Sequence, residues 1–159
     1  CQWANSADDT SPIEYWAEDG RHYGRYANGV KLVIRLNIGE PKMNLGSCPV
    51  RFVGTEGWVE TGDSGQINAE PLSLLGNRGF PGGYPPDNHV RAFIDSVKTR
   101  QECISTAETA HRSISACHVA NICKRLGRPI KWDPVKEECI DDVEANRLTN
   151  RAYREPWYL

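Results

Sequence analysis

The sequence has no long apolar run: nowhere does it approach the roughly 20 consecutive apolar residues that a helix needs to cross a bilayer. It also lacks the basic-then-apolar opening of a secretory signal. No membrane partner is expected. Charge of one sign is missing too, since 19 Lys and Arg stand against 21 Asp and Glu, a formal net charge of −2. Binding to phosphate backbones normally needs a clustered excess of cations, so no nucleic-acid partner is expected either.

Two phosphate-binding patterns are absent. No Gly-x-Gly-x-x-Gly occurs, the turn that brings backbone close to a pyrophosphate at a helix N-terminus, and no Gly-x-x-x-x-Gly-Lys-Ser/Thr loop occurs. There is no Asn-x-Ser/Thr glycosylation site, no internal repeat and no low-complexity tract. The six cysteines (Cys1, Cys48, Cys103, Cys117, Cys123, Cys139) are sparse for a disulfide scaffold, and Cys117 and Cys123 fall six apart within one predicted helix. They read as reduced, mostly buried thiols.

What is present suffices for one core. A chain of 159 residues with 39% hydrophobic residues is long enough for a single compact domain, taken as 1–159. The first residue is Cys1 rather than Met, inside what reads as an ongoing pattern, so truncation or processing upstream is expected.

The first two-fifths read as sheet. Val30, Leu32, Ile34, Leu36 and Ile38 are apolar with mostly polar residues between them, the alternation of a strand with one buried face. Asn28-Gly29 just before it suits a type I′ turn, which makes a hairpin with 21–27. Val50–Val53 and Trp58–Glu60 form a second pair through Gly54–Gly57. Further strands are predicted at Pro12–Trp16 and Glu70–Leu74.

Between Asn77 and Pro86, prolines and glycines exclude helix and central strand. Beyond this loop, Asp87 or Asn88 caps a helix to about Thr99, with Val90, Phe93, Ile94 and Val97 on one apolar face. Ser105-Thr106-Ala107-Glu108 fits a capping box led by Ser105, and Gly127 stands where a terminating glycine belongs, which sets a helix at about 106–126. Residues 128–134 are extended, a short helix follows near 141–148, and Trp157 and Tyr158 suggest a tail that packs. Strands followed by helices give an α+β class: a mainly antiparallel open sheet covered on one face by helices.

Chemistry is sparse. Gly62-Asp63-Ser64-Gly65 matches the nucleophile motif of trypsin-like proteases in letters, but His111 is downstream and mid-helix, against the required triad assembly. His111 and His118, seven apart, share a helix face, yet two ligands do not make a metal site, so no metal is assigned. His89 opens a helix beside the Gly/Pro loop, where side chains often border a pocket. Asp9, in Asp8-Asp9-Thr10 before a strand, is a second carboxylate-bearing candidate, with a solvated turn as its plainer reading. His89, Asp9 and His111 are put forward for substrate contact. No catalytic or cofactor-binding residue is assigned.

Taken together, Gln2-Trp3-Ala4-Asn5 with Asp8–Pro12, Tyr26–Lys31, Phe52–Trp58, Gly127–Pro134, and Glu144–Arg147 through Arg154–Trp157 resemble the bacterial-type C-terminal domain of the Gfo/Idh/MocA oxidoreductases. That family includes glucose-fructose oxidoreductase and inositol dehydrogenase. The resemblance implies a two-domain parent: an N-terminal Rossmann domain holding NAD or NADP, absent from this chain, then an α+β domain giving the substrate side and an oligomer interface through its open sheet. The implied reaction is oxidation of a sugar or polyol hydroxyl by hydride transfer, or its reverse. By the family pattern the catalytic lysine lies in the missing domain and the Asp and His acid/base residues on a helix ending just before Gln2, so none is carried onto a residue here. The 159 residues alone are then expected to be inactive. A cytoplasmic location is expected, or a periplasmic one if an export signal precedes. The competing expectation is a stand-alone carbohydrate-binding or assembly module using Tyr15, Trp16, Tyr23, Tyr26 and Trp58.

Overall fold

The structure, a computed structural model, describes residues 1–35, 45–46, 48–63, 65–76, 88–103 and 105–156. The predicted loop at 77–86 and the tail aromatics Trp157 and Tyr158 lie outside them, as do residues 36–38 of the strand predicted at 30–38. The chain, read above as one domain, gathers into two compact units, 1–36 with 105–159 and 37–104.

In the first unit, β1 (Glu14–Glu18), β2 (Arg21–Arg25) and β3 (Lys31–Ile34) form an antiparallel meander. Asp19 and Gly20, which join β1 to β2, both have positive φ (49° and 72°). That is the type I′ geometry whose twist suits a two-residue hairpin. Asn28-Gly29 is not the I′ turn its letters suggest: only Gly29 has positive φ, and Gly29 N–H donates to Tyr26 O. The loop is one residue longer, so a positive-φ glycine is needed only after the turn.

The sheet is completed from the other end of the chain. After α2 (Ala107–Leu126), β7 (Ile130–Asp133) pairs antiparallel with β1, and the two-residue β8 (Glu138–Cys139) pairs with β7. The order among described strands is β3-β2-β1-β7-β8. Helix α2 lies against β1, β2 and β7, and the short α3 (Val143–Arg147) closes β8. The core between them holds Tyr15, Val119, Ile122, Cys123, Ile130, Trp132, Cys139 and Ala145. This is the expected α+β arrangement, a sheet covered by helix on one face.

Helix α2 starts one residue later than a cap at Ser105 would place it. Thr106 Oγ1 accepts from Thr109 N–H at 3.1 Å, so Thr106 satisfies the free amide of the first turn. Its end is as expected, with Gly127 at φ 65° donating its N–H to Cys123 O.

The second unit carries β4 (Val50–Gly54), β5 (Gly57–Thr61) and β6 (Ile67–Glu70), an antiparallel sheet in that order, and α1 (His89–Thr99). Gly57 is obligatory: its φ is 146°, and a Cβ there would stand 2.0 Å from Glu70 O. The strand expected at 70–74 falls earlier, because Pro71 has no N–H for a ladder and Leu72–Leu75 coil into a 3-10 turn. Across the sheet Arg51 faces Glu60 and Glu60 faces Asn68. Buried Glu60 accepts from Arg51 Nε and Nη2 at 2.8 and 2.6 Å and from Asn68 Nδ2 at 3.1 Å. Arg51 also stacks on Trp58, 4.3 Å from the ring centre.

The helix expected to about Thr99 is α1, and its stripe Val90, Phe93, Ile94 and Val97 is between 41% and 71% exposed, with Ala92 the buried residue of that helix. Periodicity identifies an amphipathic helix, not what covers it. The thiols were expected to be mostly buried, but of the six only Cys123 and Cys139 are; Cys1, Cys48 and Cys117 are exposed.

Candidate functional site

The helix-covered face of the first unit is filled by its core, so chemistry has to come from its loops or its open face. Strand alternation sets that face. Glu14, Trp16 and Glu18 of β1 stand opposite Arg25, Tyr23 and Arg21 of β2, and Tyr23 stands opposite Val33 of β3. The Trp16 and Tyr23 rings stack with centres 5.2 Å apart and planes 15° off parallel. Arg25 lies 5.6 Å over Trp16 and Lys31 5.4 Å over Tyr23, each cation against the negative face of a ring. Arg25 also pairs with Glu14. Beside Trp16 a shallow depression of about 600 Å³ runs past Glu18 to Pro129 and Lys131. The remaining aromatics are not platforms: Tyr15 and Tyr26 are buried, and Trp58 belongs to the other unit.

Of the three residues put forward for substrate contact, Asp9 and His111 belong to the first unit and His89 to the second. Asp9 is exposed on a turn held by buried Gln2, whose Nε2 donates to Thr10 O at 2.6 Å and whose Oε1 accepts from the Tyr26 hydroxyl. Burial pushes the Tyr26 phenol up to about 12 and raises that of Tyr15 as well. His111, on the first turns of α2, has Nε2 2.7 Å from Glu137 Oε1, an oxygen that also accepts from Arg112 Nη1 at 3.0 Å. Arg112 reaches Pro134 O as well, so the cluster clasps the β7–β8 turn to α2. His111 therefore has a hydrogen-bond partner and a structural task. His89 is exposed at the start of α1, in the other unit.

Sequence reading missed Glu137 as the shared partner of His111 and Arg112, because contacts 26 and 25 residues apart leave no local signal. It also missed the charged rows around Trp16. Those were recoverable: placing the I′ turn at Asp19-Gly20 lines up Glu-x-Trp-x-Glu with Arg-x-Tyr-x-Arg at once.

Among the described residues no group of three or more His, Cys, Asp and Glu side chains could hold a metal ion, and no helix is long and apolar enough to cross a membrane. The described strands pair antiparallel throughout. A dinucleotide cradle of the usual kind needs parallel strands flanking a glycine-rich turn into a helix. The described residues do not fit NAD or NADP in that way.

Residues 79–159 match the family model for the oxidoreductase family, C-terminal alpha/beta domain. The chain belongs to the Gfo/Idh/MocA oxidoreductase family. No curated protein and no solved structure matches it. The matched stretch takes in α1, α2, β7, β8 and α3. The Gfo/Idh/MocA resemblance drawn from Gln2–Trp58 falls outside it.

Proposed function

We propose that the chain is the substrate-side domain of an NAD- or NADP-dependent oxidoreductase of sugars or polyols, working with a Rossmann domain that supplies the nucleotide site. The observation that carries this reading is membership in a family of oxidoreductase C-terminal domains, by a chain whose sequence has no Gly-x-Gly-x-x-Gly. General acid/base work on a hydroxyl needs a tuned group within hydrogen-bond reach of it. No residue of this chain is assigned such a role, so in this reading the proton-transfer groups come from the partner domain and this domain shapes the substrate. The open sheet face is the proposed homo-oligomer surface, and the cytoplasm the proposed compartment.

The test is a pair of assays. The 159-residue chain is expected neither to bind NAD or NADP nor to turn over any member of a sugar and polyol panel. The full reading frame that contains it is expected to encode Gly-x-Gly-x-x-Gly and to reduce the nucleotide with at least one panel member. Turnover by the 159 residues unaided would overturn the reading. A full-length protein that binds nucleotide but oxidises only other alcohols would overturn the substrate class.

The Trp16–Tyr23 stack favours one second reading, a carbohydrate-binding module, because aromatic faces take the C–H faces of sugar rings. Millimolar sugar binding by the isolated chain, lost in Trp16→Ala, would support it over the first.

A further inference from the structure

Residues 1–7 have the geometry of a helix end, not of a helix start. Gln2 lies in the right-handed helical region, at φ −53° and ψ −56°, and no side chain caps the 3-10 turn Trp3–Asn5 that follows it. Asn5 N–H is shared between Gln2 O at 3.0 Å and Cys1 O at 3.2 Å, the second being a bond of α-helical span. Ser6 then turns left-handed, at φ 51° and ψ 44°, with its N–H donating to Trp3 O, and Ala7 N–H reaches back to Gln2 O, both at 3.0 Å. Two bonds of those spans around one left-handed residue make the Schellman ending of a helix. A start would present free N–H groups and a capping side chain instead.

One side chain builds that ending into the first unit. Gln2 is buried while Trp3 and Ala4 beside it are exposed. Its amide is held at both ends, Nε2 by Thr10 O and Oε1 by the hydroxyl of Tyr26. Tyr26, the residue after β2, is buried too, and its N–H donates to Val30 O at 2.9 Å. Asn28 Nδ2 adds a bond to Asn5 Oδ1 at 3.1 Å, and Ala7, past the left-handed residue, is buried. The helix end is thus pinned by the β2–β3 connection and by the 7–10 turn together. A buried polar group with every partner in place admits one arrangement, so Gln2 fixes the direction of the helix as well as its end.

We infer that Gln2 and Tyr26 are positioning residues: they lock the end of a helix arriving from the preceding domain onto this one, and so set the separation between the reactive groups of that domain and the substrate wall formed here. The inference rests on the proposed function and deepens it by naming the contact that holds the two halves in register. A reaction whose groups are carried by two domains depends on their separation, and an error of about 1 Å costs about a hundredfold in rate. A flexible linker would absorb such an error. A helix locked by its last turn transmits it. Gln2 and Tyr26 act through what they hold and are not catalytic residues.

The experiment uses the full reading frame in four forms: wild type, Gln2→Leu, Tyr26→Phe and Asn146→Ala. In hydrogen exchange read by mass spectrometry, about ten residues before Cys1 are expected to be protected together with Cys1–Asn5, and to exchange about tenfold faster in Gln2→Leu and Tyr26→Phe. With a panel sugar or polyol that wild type oxidises, kcat is expected to fall about tenfold in Tyr26→Phe and further in Gln2→Leu, which loses both bonds, while KM for the nucleotide is unchanged. Asn146→Ala weakens the same unit at β8 and is expected to alter kcat less than about twofold. Where Gln2→Leu does not fold, Tyr26→Phe decides alone, since it removes a single hydroxyl. Unprotected residues before Cys1 in wild type overturn the helix. A kcat that falls no further in the two variants than in Asn146→Ala overturns the positioning role and leaves a bond of stability only. Protection lost in both variants of a protein that oxidises no panel member overturns the sugar and polyol reading and leaves the locked helix standing.

Discussion

The side-chain amide of Asn146 pairs with the backbone of Cys139 from both sides: Oδ1 accepts its N–H and Nδ2 donates to its carbonyl, each at 2.7 Å. Asn146 thus serves β8 as a neighbouring strand would, which is how a two-residue edge strand keeps a buried residue satisfied. Asn146→Ala removes both bonds and leaves two backbone groups of a fully buried residue without partners. We expect a loss of about 2 kcal/mol in urea denaturation of the chain. A loss of only a few tenths would mean that water replaces the amide.

Thr106, not Ser105, caps α2, and the two are separable by substitution. Thr106→Ala is expected to cost about 1 kcal/mol by removing the acceptor for Thr109 N–H, whereas Ser105→Ala should be nearly neutral. Equal effects in the same denaturation measurement would contradict this assignment.

Both helices were legible from local pattern, α2 by its terminal Gly127 and a start read one residue early at Ser105, and α1 by the apolar spacing of Val90, Phe93, Ile94 and Val97. Val30, Leu32 and Ile34 likewise announced β3, since alternation is a property of neighbours in sequence. What local letters could not supply was pairing. Asn28-Gly29 and Asp19-Gly20 carry the same turn propensity, and loop length, fixed by the strands around them, gave the I′ geometry to the second. Pairing of β7 with β1 joins residues more than a hundred positions apart, so the sheet looked shorter in sequence than it is. The clasp of His111 to Glu137 was hidden for the same reason.

Asp142 caps α3 by accepting from Ala145 N–H at 3.0 Å and is gripped by both Arg128 terminal nitrogens. The Arg128 hydrogen bonds, then the Ala145 amide, hold its carboxyl down to about 2. A carboxyl whose folded pKa is depressed adds stability that is fully present above its unfolded value of roughly 4. That stability is lost as pH falls through the folded value. Wild type should therefore weaken between about pH 4 and pH 2, and Asp142→Asn should be less stable at pH 7 with a flatter acid limb. Urea midpoints measured against pH check this; parallel curves for the two proteins would rule it out.

In the second unit, Glu60 is a buried carboxylate. Burial alone would raise its pKa, but the hydrogen bond from Asn68 and the ion pair with Arg51 outweigh that and lower it. Removing Arg51 leaves the charge without its main partner, so Arg51→Ala should cost about 3 kcal/mol. Adding Glu60→Gln to it should recover part of the loss, because a neutral amide can remain buried with Asn68. A double variant as unstable as the sum of the two single ones would show that the pair does not act as a unit.

The cysteines give a test of the core that needs no substitution. Thiolate is the reactive form, so reaction with a disulfide reagent requires both access and ionisation. Burial pushes the Cys139 thiol up to about 11, with nearby Asp142 adding to it, and burial also raises Cys123. Cys123 is held further by donating its thiol hydrogen to Arg128 O at 3.2 Å. In the native chain at pH 8, Cys1, Cys48 and Cys117 should react promptly, half-buried Cys103 more slowly, and Cys123 and Cys139 only at the rate of unfolding. Because Asn146 pins β8 over Cys139, Asn146→Ala should speed the reaction of Cys139 more than that of Cys123, which sits on α2. Equal acceleration of both would place the opening event in the whole sheet-helix core rather than at its β8 edge.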